Sequence, residues 1–406
     1  MKLEAFEGFV VGTPPPGYGG RYFIFVKLTT SCGIHGYGEI YAGHMAPDLI
    51  VALASDSFER YLAGQSVFQI EQFVRKMHGA GYLHRPDATM AGVMSGLEMA
   101  MWDIVGKALD QPCYNLMGGA VQDRLRLYTY LYPDAGEDPG RFYDDPYRAA
   151  EKAAYWQTQG FTAVKCDPAG QYTIYDPRQP DLEALERSAT FCRLIREAVG
   201  TEVDILFGTH GQFSPSGAIR MAEAIAPYSP LWFEEPTPPD MPEEMAKVAD
   251  RSSVPISAGE RLSTLYEFQR LASTGAASIW QPNLGRAGGL LEGRKIAALA
   301  QAHYCQIAPH LYCGPLVAAA NIQLAATIPN FLILESIEKM GGFHAELLIK
   351  PFVVEEGYLQ LPTAPGLGVE LNEDVAKAHP YKGEKLHLEM GQEPYDPRKH
   401  RFFPGG

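Results

Sequence analysis

Short apolar runs that stop abruptly at a polar or charged residue recur along the middle of the chain. Leu231-Trp-Phe-Glu234-Glu235-Pro236 and Ile256-Ser-Ala-Gly259-Glu260-Arg261 are the sharpest. Each reads as a buried parallel strand that delivers a carboxylate to the rim of a sheet. Ala163-Val-Lys165-Cys-Asp167 and Ile205-Leu-Phe-Gly208-Thr-His210 lie upstream, and Ile279-Trp-Gln-Pro-Asn283, Ile307-Ala-Pro-His310 and Leu332-Ile-Leu-Glu335 lie downstream. With Arg124-Leu-Arg-Leu-Tyr-Thr-Tyr-Leu131 they predict eight strands near residues 127, 164, 205, 233, 257, 280, 307 and 332. Between strands the apolar period lengthens to that of a helix, as over 147–159, 181–199, 216–226, 242–250, 265–273 and 290–303. No clean amphipathic helix follows the eighth strand. The pattern therefore predicts an α/β fold, a modified (β/α)8 TIM barrel of (β/α)7β form, over 124–355.

The first 123 residues are patterned differently and predict an α+β capping domain. Tyr22-Phe-Ile-Phe-Val-Lys-Leu-Thr-Thr30, turning at Gly33 and Gly36, reads as an antiparallel meander. A helical period from Asp48 to Leu109 follows, ended by Gln111-Pro112 and Gly118-Gly119. Its methionine-rich part, 91–101, reads as a buried helix rather than a pliable binding surface. The Gly- and Pro-rich Thr13-to-Gly20 loop is a candidate lid. Residues 356–406 are expected to return to the capping domain, ending at Phe402-Phe-Pro-Gly-Gly.

Composition narrows the function. The net charge of −14 opposes phosphate-backbone binding, and no Lys/Arg stripe interleaved with aromatics offsets it, so nucleic acid is not an expected partner. Mean hydropathy of −0.15 and the absence of a long apolar run argue against a membrane span, and the N-terminus lacks a signal-peptide profile. A cytoplasmic protein is expected. The six cysteines form no CxxC pair and read as reduced buried thiols, Cys166 and Cys313 included.

Glu234 and Glu260, on neighbouring strands, make half a cation site. The rim motifs, together with Ser95-Gly-Leu-Glu-Met-Ala-Met-Trp-Asp-Ile-Val-Gly-Lys107, Gly314-Pro-Leu-Val-Ala-Ala-Ala and Pro365-Gly-Leu-Gly-Val-Glu-Leu, resemble the enolase superfamily, in its mandelate racemase and acid-sugar dehydratase branch. Within that branch the chain looks most like the galactonate dehydratases.

The resemblance implies Mg²⁺, abstraction of the proton α to a carboxylate, metal stabilisation of the enediolate, and loss of water to give a 2-keto-3-deoxy acid. It makes Glu234 and Glu260 metal ligands. The third ligand, an Asp in the family, falls on Gly208, so water, Asp167 or His210 must replace it. His310 matches the base, His210 the general acid and Glu335 a hydrogen-bond donor to the substrate carboxylate. The Asp that orients the base is here Asn283, which holds the ring without supplying charge. Asp167 stands where racemases carry a second Lys, which disfavours two-base racemisation. Lys165 either neutralises the substrate carboxylate or bridges to a ligand, and Arg261 either binds a sugar hydroxyl or pairs with Glu235. The alternatives are an epimerase or lactone cycloisomerase, and an acid-sugar binder impaired by Gly208 and Asn283. The substrate is expected to be a small sugar acid, selected by the 14–20 loop, the stretch around His44 and the 168–178 insertion. Homo-oligomers are common in the family.

Overall fold

The structure is a computed structural model describing residues 1–43, 45–79, 87–173, 176–391, 393–394 and 396. Three antiparallel strands, β1 (Leu3–Gly12), β2 (Tyr22–Thr30) and β3 (His35–Ile40), form the small N-terminal sheet in the order β1-β2-β3. Its helices, Pro47–Tyr61, Ile70–His78 and Ala88–Ala108, bury one continuous apolar face against it. The last has apolar residues on every side and is almost wholly buried, as the buried-helix reading expects. Its Gly96 backs onto Gly38 of β3 so closely that a Cβ on Gly38 would overlap the Gly96 carbonyl. Glycine at both positions is what lets helix and strand meet.

The barrel strands are β4 (Arg124–Tyr130), β5 (Ala163–Cys166), β6 (Asp204–Phe207), β7 (Trp232–Glu234), β8 (Ile256–Ala258), β9 (Ile279–Trp280), β10 (Gln306–Ile307) and β11 (Leu334–Ser336). Neighbours from β4 to β10 pair in parallel and in sequence order. β11 returns to β4 in parallel, and the Ile307–Phe331 bridge joins the β10 side, so the sheet closes. Alternation does the sorting expected of strands: Tyr128, Ala163, Leu206, Trp232, Ile279, Ala308 and Ile333 pack together inside, while Leu127, Val164, Ile205, Phe207 and Phe233 join the outer core beneath the helices. A hairpin of β12 (Val354–Glu355) and β13 (Tyr358–Gln360) extends β4 antiparallel at its start.

The helices start where side-chain caps are available: Asp145, Asp181, Ser214 and Thr264 each accept from a backbone N–H one turn on. Two more helix starts are capped from the N-terminal unit. Glu98 accepts from Leu290 N and Leu291 N at 2.8 Å each, and Glu39 accepts from Gly314, Leu316 and Val317 N–H groups. These carboxylates tie the small sheet and its long helix to helices Gly289–Ala302 and Pro315–Thr327. No described helix is long and apolar enough to cross a membrane.

The 14–20 loop lies over the C-terminal ends of the strands. Tyr18 stacks on Tyr132 at 4.1 Å and donates to Pro133 O, and Gly19 sits against Cys313 O and His344. The C-terminal segment pairs with β1 through Val11 and Pro380. It then carries the buried His387 ring into the space a side chain on Gly20 would need, while Arg21 bonds to the His387 and Leu386 carbonyls. The expected chain end at Phe402–Gly406 lies outside the described residues.

Candidate active site

Strand alternation explains why these side chains meet. Lys165 follows Ala163, Gly208 follows Leu206, and Glu234 follows Trp232 on the inward face, each at the C-terminal end of its strand. Lys165 Nζ donates to Glu234 Oε1 at 2.6 Å and lies 3.9 Å from Glu335. Glu234 Oε2 accepts from Gln281 Nε2 at 2.9 Å and Trp232 Nε1 at 3.1 Å. Neither donor was singled out from sequence, although Gln281 lies two residues before Asn283 in a quoted motif and so shares its face. Burial pushes the Glu234 carboxyl up against the pull of Lys165, while Lys165, despite burial, is held well above its usual range by Glu234 and Glu335.

Glu335 accepts from Leu311 N at 2.6 Å, and burial pushes its carboxyl up to about 8 against the opposing pull of Lys165. It is therefore protonated more readily than an ordinary carboxyl, and in that form it can donate a hydrogen bond. Arg261 pairs with Glu235 at 2.7 Å, the partner named in one of its two expected roles. Glu235 itself has φ of +37°, an uncommon conformation for a non-glycine residue. Thr209 Oγ1 and Gly211 N hold that turn by donating to the carbonyls of Glu234 and Glu235.

The two histidines differ in their partners. Asn283 Oδ1 accepts from Gly285 N at 2.8 Å, which commits the amide nitrogen to His310 Nδ1 at 2.9 Å. An amide NH₂ can only donate, so Nδ1 is the acceptor and the ring proton sits on Nε2, facing Glu260 Oε2 at 3.2 Å. Burial lowers His310 to about 3, with Glu260 pulling the other way, so the ring is neutral. Glu260 is also buried, yet His310, His210 and Lys165 hold it below the usual carboxylate range. His210 Nδ1 lies 3.5 Å from Asp167 Oδ2, and its ring stacks on Tyr172 at 4.9 Å, an aromatic from the 168–178 insertion. Tyr41 lies nearly parallel to His310 with ring centroids 6.4 Å apart, and the Arg286 guanidinium sits over the Tyr41 ring, 3.7 Å from its centroid. These aromatics had no periodic signal to mark them. His44 lies outside the described residues. Cys166 and Cys313 are buried thiols pushed well up by that burial.

The donor set suits a hard divalent cation in type and in charge. Five carboxyl groups (Asp167, Glu234, Glu235, Glu260, Glu335) face two permanent cations, Lys165 and Arg261. Asp167 Oδ1 is a buried oxygen without a hydrogen-bond donor, and Glu260 Oε2 meets only His310 Nε2, at 3.2 Å and outside hydrogen-bond geometry. Buried anionic oxygens left so are costly unless a cation meets them. Among the described residues, no three His, Cys, Asp or Glu side chains converge tightly enough to hold an ion as they stand, since Glu234 is turned to Lys165.

Comparison with known proteins agrees with this architecture. Residues 148–375 match the enolase C-terminal domain-like family, and 18–118 match the mandelate racemase/muconate lactonizing enzyme N-terminal domain. The chain is 31% identical over 375 residues to D-xylonate dehydratase of Haloferax volcanii, covering 90% of this chain and 88% of that one. It is 33% identical over 358 residues to D-galactonate dehydratase of Verminephrobacter eiseniae, covering 86% and 89%. A solved mandelate racemase/muconate lactonizing enzyme from a Sulfitobacter species superposes with a TM-score of 0.95 at 50% identity, covering 98% of this chain and all of that one. With both of its family regions matched, in order and across the cap and the barrel, this chain belongs to the mandelate racemase/muconate lactonizing enzyme family of the enolase superfamily.

Proposed function

We propose that this protein is a hydro-lyase that dehydrates a sugar acid of the aldonate or aldarate class, with Mg²⁺ held by Glu234 and Glu260. The observation that carries the reading is the meeting of Lys165, Glu335 and two histidines with unlike partners at the strand ends. The names of the dehydratase relatives support the substrate class. Bound Mg²⁺ supplies the positive charge that lowers the cost of an enediolate.

The chain's own residues divide the rest of the work. Lys165 and the protonated Glu335 bind the substrate carboxylate. His210, with Nδ1 toward Asp167, presents Nε2 to take the α-proton. The imidazolium so formed returns that proton to the 3-hydroxyl as the carbon–oxygen bond breaks, and water leaves. The resulting enol tautomerises to the 2-keto-3-deoxy acid. His310, with its proton on Nε2, is a hydrogen-bond donor to a substrate oxygen. This reassigns the base expected from sequence, because an Asn rather than an Asp stands behind His310.

Incubating the purified protein and Mg²⁺ with a panel of aldonic and aldaric acids tests the reading. Formation of a 2-keto acid, lost in excess chelator and in Glu260→Gln, is expected. Solvent-proton exchange without keto acid would redirect the assignment to epimerisation, and full turnover in chelator would remove the metal from it.

A further inference from the structure

Gly208 directly follows β6, the strand lying between β5, which carries Asp167 just beyond its end, and β7, which carries Glu234. A Cβ placed on Gly208 would overlap Asp167 Oδ1 and lie 2.8 Å from its Cγ, with Lys165 Cε at 3.0 Å. The Asp167 carboxylate thus lies across the middle strand, in the volume a side chain on Gly208 would fill. The absence of a side chain on Gly208 leaves that volume open to it. Its Oδ2 is 3.5 Å from His210, whereas Oδ1 is buried without a donor. The fully buried Glu234 at the end of β7 and Glu260 just beyond β8 complete a series of carboxyls at the ends of β5, β7 and β8.

We infer that Asp167 is a metal ligand that has been moved one strand over, reaching across the bare backbone of Gly208 to hold a divalent cation together with Glu234 and Glu260. Gly208 is the positioning half of the device, and the two residues are one exchangeable unit. The inference rests on the metal-dependent reading above and adds which side chain supplies the third oxygen. The competing account, that Asp167 only orients His210, uses Oδ2 and leaves Oδ1 without a purpose.

The obstacles to a side chain at 208 are side-chain atoms, and Gly208 is not among the glycines with positive φ. An Asp there is therefore admissible once Asp167 is withdrawn. The test is Mn²⁺ binding to the full-length protein, by calorimetry and by the electron paramagnetic resonance signal of free Mn²⁺. Asp167→Ala is expected to weaken binding at least about 100-fold, the upper end of what losing even an outer-shell partner costs. The isosteric Asp167→Asn serves as the second variant should the Ala protein unfold in a thermal melt. The double variant Asp167→Ala/Gly208→Asp is expected to recover affinity to within about tenfold of wild type, since it returns a carboxylate to the same volume. Wild-type Mn²⁺ affinity in Asp167→Asn overturns the inference, as does a folded double variant that recovers nothing. A wild-type protein that takes up no Mn²⁺ overturns the metal-dependent reading beneath it, so the two failures are separable.

Discussion

Asn283 shows how one atom changes the chemistry of a site. An Asp there would accept from His310 Nδ1–H and leave Nε2 bare, whereas the amide donates to Nδ1 and puts the proton on Nε2. Two outcomes follow at this scale. His210→Asn should lower kcat by at least about 100-fold, the loss expected of a general base, and by more than His310→Asn does. The reverse ranking would return the base to His310. In Asn283→Asp, nitrogen NMR of the ring should show the proton moving from Nε2 to Nδ1; an unchanged signal would mean the amide does not set the tautomer. The sequence displayed Glu234, Glu260, Lys165 and both histidines because each ends an apolar run. It offered Asp167 as one of three replacements at Gly208 without choosing among them, and gave no sign of the stacking of Tyr172, since both depend on distances between strands rather than on spacing along one.

At the scale of elements, strand alternation and helix caps are local, and most barrel helices begin within a residue or two of where the pattern places them. Helix Pro315–Thr327 has no such signature. All of its residues are buried, so it carries no polar face to give a period. Only the motif at its start marked it. Its N-terminus and that of Gly289–Ala302 take buried carboxylates from the cap, where unpaired N–H groups and the helix dipole favour negative charge. Glu98→Ala, which strands the Leu290 and Leu291 N–H groups and the Trp102 indole N–H, should destabilise by about 2–4 kcal/mol. Gly38→Ala forces the meander off the Ala88–Ala108 helix and should cost about 1–3 kcal/mol. Denaturant melts measure both, and a wild-type midpoint for Gly38→Ala would contradict the close approach.

For the whole molecule, acid stability depends on histidines buried as neutral rings away from the carboxylates. Burial lowers His344 to about 4 and His387 to about 3 from an ordinary 6.5. The unfolded chain binds those two protons below pH 6.5 and the folded chain does not, so the stability these rings contribute is full above 6.5 and is lost as pH falls toward 4, while buried carboxyls such as Glu335, raised to about 8, gain stability as pH falls over part of the same range. Two protons correspond to a slope of about 2.7 kcal/mol per pH unit. His387→Gln should remove one of those protons from the balance, so that stability between pH 6.5 and 4 depends less steeply on acid in the variant than in the wild type when melting temperatures are compared; an unaltered slope would place the acid sensitivity elsewhere. His387 also joins residues remote in sequence, its ring beneath Gly20 while the neighbouring chain runs beside β1. A segment near the start of the chain and one near its end are thus laced together beside the strand ends. A ligand whose entry parts them would change the separation of a pair of fluorophores at 17 and 384, and a constant separation on ligand addition would show that entry leaves this lacing in place.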